Sequence, residues 1–134
     1  MKKKANGTYR ARVNARGFEQ VEGKHYDKTQ TSAPVVNEIT VRIVLTLICM
    51  AQWCVMLLDV KGAFLCGNFE NNEEIYMKVP QGFERFYSEN AVLLLLKTIY
   101  GLKQAALAFW RELLKAFKSM HYGRSKADPC LYFK

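Results

Sequence analysis

The stretch CVMLLDV, Cys54–Val60, limits the fold more than any other part of the chain. Val55, Met56, Leu57 and Leu58 present apolar side chains to both faces of an extended backbone, which predicts a strand central in a sheet and covered on both sides. The run closes on a carboxylate, Asp59, and soon after on the small residues Gly62 and Ala63. A carboxylate at the end of a buried strand opens onto a crevice where Mg²⁺, bound by oxygen ligands and substrate phosphates, can sit. It can equally be a polar stop that caps the next turn. Both readings stay open at this point.

Neighbouring residues narrow the chemistry. There is no G-x-x-x-x-G-K-[ST] phosphate loop, and Lys61 stands where a phosphatase-type second aspartate would be. Gly62 and Ala63 leave backbone N–H groups approachable by phosphate. Phe64 is either the flat wall of a sugar pocket or a plain core aromatic.

The rest of the chain reads as an α+β domain. TYRARVNARGF (8–18) alternates apolar residues with Arg10, Arg12 and Arg16, predicting a half-buried strand with three arginines on one face. NEITVRIVLTLICMAQW predicts a helix over 38–52, capped by Asn37 and largely buried through Ile39, Ile43, Leu47 and Met50. Strands are predicted in EEIYMKVP (73–80), AVLLLLK (91–97, buried) and DPCLYFK (128–134), with a helix over 103–120.

At 134 residues the chain fits one domain, and half of it is hydrophobic, which argues against disorder. The net charge is +8, of which residues 1–28 carry a surplus of five. A basic arm beside a near-neutral body suits a polyanion such as nucleic acid, or is a solvated face. Cys49, Cys54, Cys66 and Cys130 form no C-x-x-C pair and read as reduced, mostly buried thiols of an intracellular protein. His25 and His121 stand alone, as surface residues do. The 16-residue run Ile43–Leu58 is short of the roughly 20 residues a membrane span needs, so no membrane partner is expected.

Five segments taken together resemble the reverse transcriptase of Ty1/copia-type LTR retrotransposons. They are YRARVNARGFEQ, SAPVVNEITVRIVLTL, LLDVKGAFLCGNFENNEEIYMKVPQGFE, LLLLKTIYGLKQA and RSKADPCLYF, in family order over nearly the whole chain. The resemblance implies the fingers and partial palm of a right-hand polymerase, with residues 1–52 and 70–105 fingers-like and 53–69 and 106–134 palm-like. It implies RNA-directed DNA synthesis from dNTPs on an RNA or DNA template-primer, with two Mg²⁺ ions. Asp59 matches the first catalytic aspartate and metal ligand, and Val60 would offer its carbonyl to the metal. Gly62 and Ala63 would face the triphosphate, and Phe64 matches the steric gate that rejects a ribose 2′-OH. Arg12 matches a basic residue on the triphosphate, Arg10 and Arg16 would touch phosphate or template, and Tyr100 and Gly101 floor the nucleotide pocket.

The chain also departs from the family pattern. Ala106 and Leu107 stand where many members have Pro and Arg, Asn14 replaces an apolar residue, and HYDKTQTSAP is about two residues longer. An aromatic–x–Asp–Asp hairpin, expected after DPCLYFK, is not among the 134 residues. The expectation is therefore an N-terminal fragment, truncated before the second catalytic motif and without thumb, connection or RNase H parts. Alone it would be inactive, in a cytoplasmic particle or the nucleus. The alternative is a non-catalytic basic nucleic-acid-binding module, or a domesticated or decayed remnant.

Overall fold

The computed structural model describes every residue except Met1, Lys4, Asn6, Asn71 and Asn72, and for Lys2, Lys3 and Arg10 only the backbone. Its elements are β1 (Lys2–Lys3), β2 (Tyr9–Arg10), α1 (Glu38–Ala51), β3 (Tyr76–Lys78), β4 (Val92–Leu94), α2 (Ala105–Ser119), β5 (Gly123–Arg124) and β6 (Tyr132–Phe133). The strands pair as three antiparallel ribbons, β1–β2, β3–β4 and β5–β6. In the longest, Tyr76, Met77 and Lys78 face Leu94, Leu93 and Val92.

Helix α1 begins where its sequence says it should. The Asn37 side chain accepts the Ile39 N–H at 2.9 Å, and Glu38 pairs with Arg42 one turn on. Gln52 ends it in the left-handed conformation, its N–H on the Ile48 carbonyl. The N-terminus is further tied to the β5–β6 ribbon: buried Asp128 accepts the Asn37 N–H at 2.9 Å and the Cys130 N–H at 2.8 Å.

The core lies beside α2. Ile75, Leu102 and Ala105 are buried, with Ala15, Phe64, Phe69, Leu95 and Ile99 packed against them. The 3-10 turn Ala63–Leu65 sits on α2, and Gly67 lets the chain pass close to Ala108 and Thr98, where a Cβ would overlap the Thr98 hydroxyl. At the far end of α2, Phe117 stacks on Tyr132 with ring centroids 4.3 Å apart.

Several expectations need correction. The arm 11–16 is not a strand; its Ala15 N–H bonds the Tyr100 carbonyl, a turn rather than a ladder. Residues 53–60 form no strand and are exposed, Leu57 at 95% and Leu58 at 85%. A strand needs a neighbour for its backbone groups, and among the described residues 54–60 have no backbone partner. The apolar stripe of α1 is likewise exposed, because no described element covers Ile39, Ile43, Leu47 or Met50. β4 is only half-covered, since Val92 and Leu94 face outward from a two-stranded ribbon. Cys49 and Cys54 lie on these uncovered segments and Cys66 ends the exposed side of the 3-10 turn, so all three are exposed; Cys130 alone is partly covered. Among the described residues no helix is long and apolar enough to cross a membrane.

Candidate active site

Gly62 adopts a left-handed backbone, φ 68°, and turns the chain into Ala63–Leu65. This small turn is fixed from below. The Thr98 hydroxyl, fully buried, donates to the Phe64 carbonyl at 2.5 Å, and the Thr98 N–H donates to the Gly67 carbonyl at 3.1 Å. Phe64 is thereby held edge-on to Tyr100, centroids 4.8 Å apart, with Phe109 behind it at 6.5 Å.

The arm from Arg12 to Gly17 closes the other side. Besides the Ala15–Tyr100 hydrogen bond of 2.7 Å, two glycines allow close backbone approach. A Cβ on Gly101, whose φ is 92°, would overlap the Ala15 carbonyl, and one on Gly17 would overlap the Gly101 carbonyl. So docked, Arg12 places its guanidinium carbon 5.6 Å from the centre of the Tyr100 ring. Guanidinium and ring attract in this geometry, and the charge remains open to solvent.

The structure therefore brings Arg12, Phe64, Tyr100 and Gly101 together, with Gly62 and Ala63 on the same turn as Phe64. Other expected residues stand apart. Arg16 forms an exposed ion pair with Glu19 at 3.1 Å. The Arg10 side chain lies outside the described residues. Asp59 and Val60 are exposed, and Asp59 makes no hydrogen bond or ion pair among the described residues. No group of three or more His, Cys, Asp or Glu lies close enough to hold a metal ion among the described residues. Asp59 alone is a hard oxygen donor of the right kind for a divalent cation, but one carboxylate does not make a two-ion site.

Thr98, Gln20 and Gln104 were not singled out from the sequence. Thr98 falls between an apolar strand and a turn, where nothing in the local pattern marks a buried hydroxyl. Lys103, a basic residue in the YGLKQ segment, spends its charge internally: Nζ donates to the Tyr26 hydroxyl at 2.7 Å and sits over that ring.

The family model for reverse transcriptase (RNA-dependent DNA polymerase) matches residues 1–134. The chain belongs to this family. It is 41% identical over 126 residues to the retrovirus-related Pol polyprotein from transposon TNT 1-94 of Nicotiana tabacum, covering 94% of the chain and 9% of that protein. It is 36% identical over 124 residues to the corresponding polyprotein from transposon RE1 of Arabidopsis thaliana, covering 92% of the chain and 8% of that protein. A putative transposon Ty5-1 protein of Saccharomyces cerevisiae is 35% identical over 77 residues, 58% of the chain and 24% of that protein. The Ty1/copia resemblance is thus borne out, and this reverse transcriptase chain spans less than a tenth of the length of the two plant polyproteins. No solved structure matches it.

Proposed function

We propose that this reverse transcriptase chain supplies the fingers and the first part of the palm of an RNA-directed DNA polymerase, and that its nucleotide face is the Arg12–Tyr100–Phe64 cluster. Residues 1–52 and 70–105 are fingers-like, 53–69 and 106–134 palm-like. The observation that supports this reading is the convergence of Arg12, Phe64 and Tyr100, drawn from three separate segments, onto one small face. A guanidinium over a ring, beside a turn with accessible N–H groups, suits a triphosphate and its sugar. Arg12 binds phosphate charge, the amides at Gly62–Ala63 donate to phosphate oxygens, and Phe64 closes the sugar side by shape.

Asp59 and the Val60 carbonyl would hold a divalent cation, Mg²⁺ by the preference of hard oxygen donors. That ion would supply charge neutralisation at the phosphates. The remaining carboxylates must come from other parts of the polyprotein, as must the thumb and RNase H parts, so the 134 residues alone carry no polymerisation. Template-primer and dNTP are the proposed partners, within an intracellular particle or the nucleus.

The test uses the polyprotein that contains this sequence. Asp59→Asn abolishes dNTP incorporation on a primed RNA template, and Arg12→Ala raises the KM for dNTP with a smaller effect on kcat. Incorporation at the parental rate by Asp59→Asn refutes the reading.

A further inference from the structure

Gln104 occupies the position just before α2, where a short polar side chain usually caps the helix, yet it makes no such bond. It is 7% exposed and reaches across to the loop that follows the Arg12 arm. Its Oε1 accepts from Gln20 Nε2 at 3.0 Å and its Nε2 donates to the His25 carbonyl at 3.2 Å. The Gln20 Oε1 in turn accepts the Lys103 N–H at 2.8 Å. Two amides thus satisfy each other and two backbone groups, in a chain of bonds joining residues 20–25 to residues 103–104. Only glutamine has the reach together with a donor and an acceptor; Asn is too short, and Glu lacks the donor.

The geometry points to a positioning role: we propose that Gln20 and Gln104 form an amide clamp that sets the Arg12 arm against Tyr100 for triphosphate binding. The inference rests on the nucleotide reading above and deepens it. The arm has no strand ladder to hold it. Its fixed points are the Ala15–Tyr100 bond and the Gly17–Gly101 approach, and both lie between Arg12 and Gln20. A clamp at Gln20 closes the far end of that arm, and the Lys103–Tyr26 contact reinforces it from outside. Polar groups this well satisfied in a small core select one arrangement over sliding alternatives.

Methionine has nearly the shape of glutamine and none of its hydrogen bonds, so Gln20→Met and Gln104→Met remove the clamp without a cavity. In the polyprotein that contains this sequence, two readouts are taken: amide exchange of the peptide carrying Ala15 by mass spectrometry, and dTTP binding by titration. Each variant speeds Ala15 exchange about fivefold, the factor for one hydrogen bond of about 1 kcal/mol. The double variant adds little more, because either change breaks the same chain of bonds. Both variants weaken dTTP binding as far as Arg12→Ala does, whereas Leu113→Ala, which destabilises α2 away from the clamp, leaves dTTP affinity unchanged. Unaltered Ala15 protection in both glutamine variants overturns the clamp. Fast Ala15 exchange with unchanged dTTP affinity overturns its role in nucleotide binding. If Arg12→Ala alone leaves dTTP affinity intact, the nucleotide reading fails, and Ala15 exchange still decides whether the clamp exists.

Discussion

The Ala15 amide donates to the Tyr100 carbonyl at 2.7 Å, and this bond joins the arginine arm near the start of the chain to the turn ahead of α2. Through that junction Arg12 reaches the proposed nucleotide site. Arg12 precedes the junction by three residues, and Phe64 leans on the ring of its acceptor residue.

Gly101→Ala therefore has a large effect. The position combines φ 92° with a Cβ that would overlap the Ala15 carbonyl, so the backbone strain and the clash act together. The expected loss is about 2–4 kcal/mol in urea unfolding. Gly82→Ala is the matched comparison: φ is 89° but nothing lies near the added methyl, so about 1 kcal/mol is lost. Equal losses at the two positions would show that close approach contributes nothing.

How much of this was legible in the sequence depends on where each segment finds its partners. Helices α1 and α2 were readable because cap, period and stop are local; Asn37 caps as expected and α2 falls within 103–120. Strands β3 and β4 fall within the alternating segment 73–80 and the apolar run 91–97. The strand over 54–60 was legible as a pattern and is not realised, because a strand is a property of two segments and no described segment pairs with this one. The arginine arm misled for the opposite reason: its alternation is real, but its backbone docks on a turn. Phe64, Arg12 and Tyr100 were named by resemblance, and the structure brings the three together. Thr98 and Gln104 were not named, since burial of a polar side chain follows from tertiary contact alone.

Phe64 has a packing role and a proposed role as sugar gate, and one substitution separates them. It packs half-buried against Tyr100 and Phe109, so Phe64→Ala costs about 2–3 kcal/mol in the chain's unfolding free energy. Phe64→Leu keeps most of the packing and loses less than half of that. In the polyprotein, both substitutions raise ribonucleotide incorporation relative to deoxyribonucleotide, because a gate that works by shape opens when its ring is removed. A ratio unchanged by either would leave Phe64 a core residue only.

Asp128 links the fold to acid. Its carboxylate is 2% exposed and is held below its ordinary pKa of 3.8 by the Cys130 amide first, then the Asn37 amide and the Thr40 hydroxyl. A depressed carboxylate stabilises the fold fully above its unfolded value, and that contribution is lost as pH falls through the folded one. Thermal unfolding followed from neutral pH downward should thus steepen below 3.8. Asp128→Asn lowers Tm at neutral pH by about 5 °C and flattens the acid limb. Asp27, lowered by Thr29, and Glu112, lowered by Lys115 and Asn68, supply the slope that remains. Parallel acid limbs in parent and variant would exclude Asp128 as the main contributor.

Nucleic-acid binding by the basic arm is expected to be weak and salt-dependent. Each phosphate contact contributes nearly one unit to the slope of log affinity against log salt. Arg12→Ala and Arg16→Ala together should reduce that slope by about 2, measured by fluorescence anisotropy on a primed template. Arg16 costs its Glu19 pair little to redirect, since both side chains are exposed. A slope unaffected by the double change would move the binding face elsewhere.

The exposed segment before Asp59 sets how the isolated chain behaves in solution. Trp53, Val55, Met56, Leu57 and Leu58 are all exposed, and the uncovered side of α1, with Ile39, Ile43 and Met50, immediately precedes them in the chain. Apolar surface on this scale drives association when nothing covers it. The purified 134 residues should bind an apolar dye and sediment as species larger than a monomer. Leu57→Glu with Leu58→Lys removes two of the most exposed side chains without breaking any described contact, so stability stays within about 0.5 kcal/mol of the parent. The same pair of changes should shift sedimentation to the monomer and reduce dye binding. Introduced into the polyprotein, it should abolish polymerisation, because this stretch leads directly into Asp59. Unchanged association of the charged variant would place the sticky surface on α1 alone, and full activity in the polyprotein would mean that residues 57 and 58 remain uncovered there too.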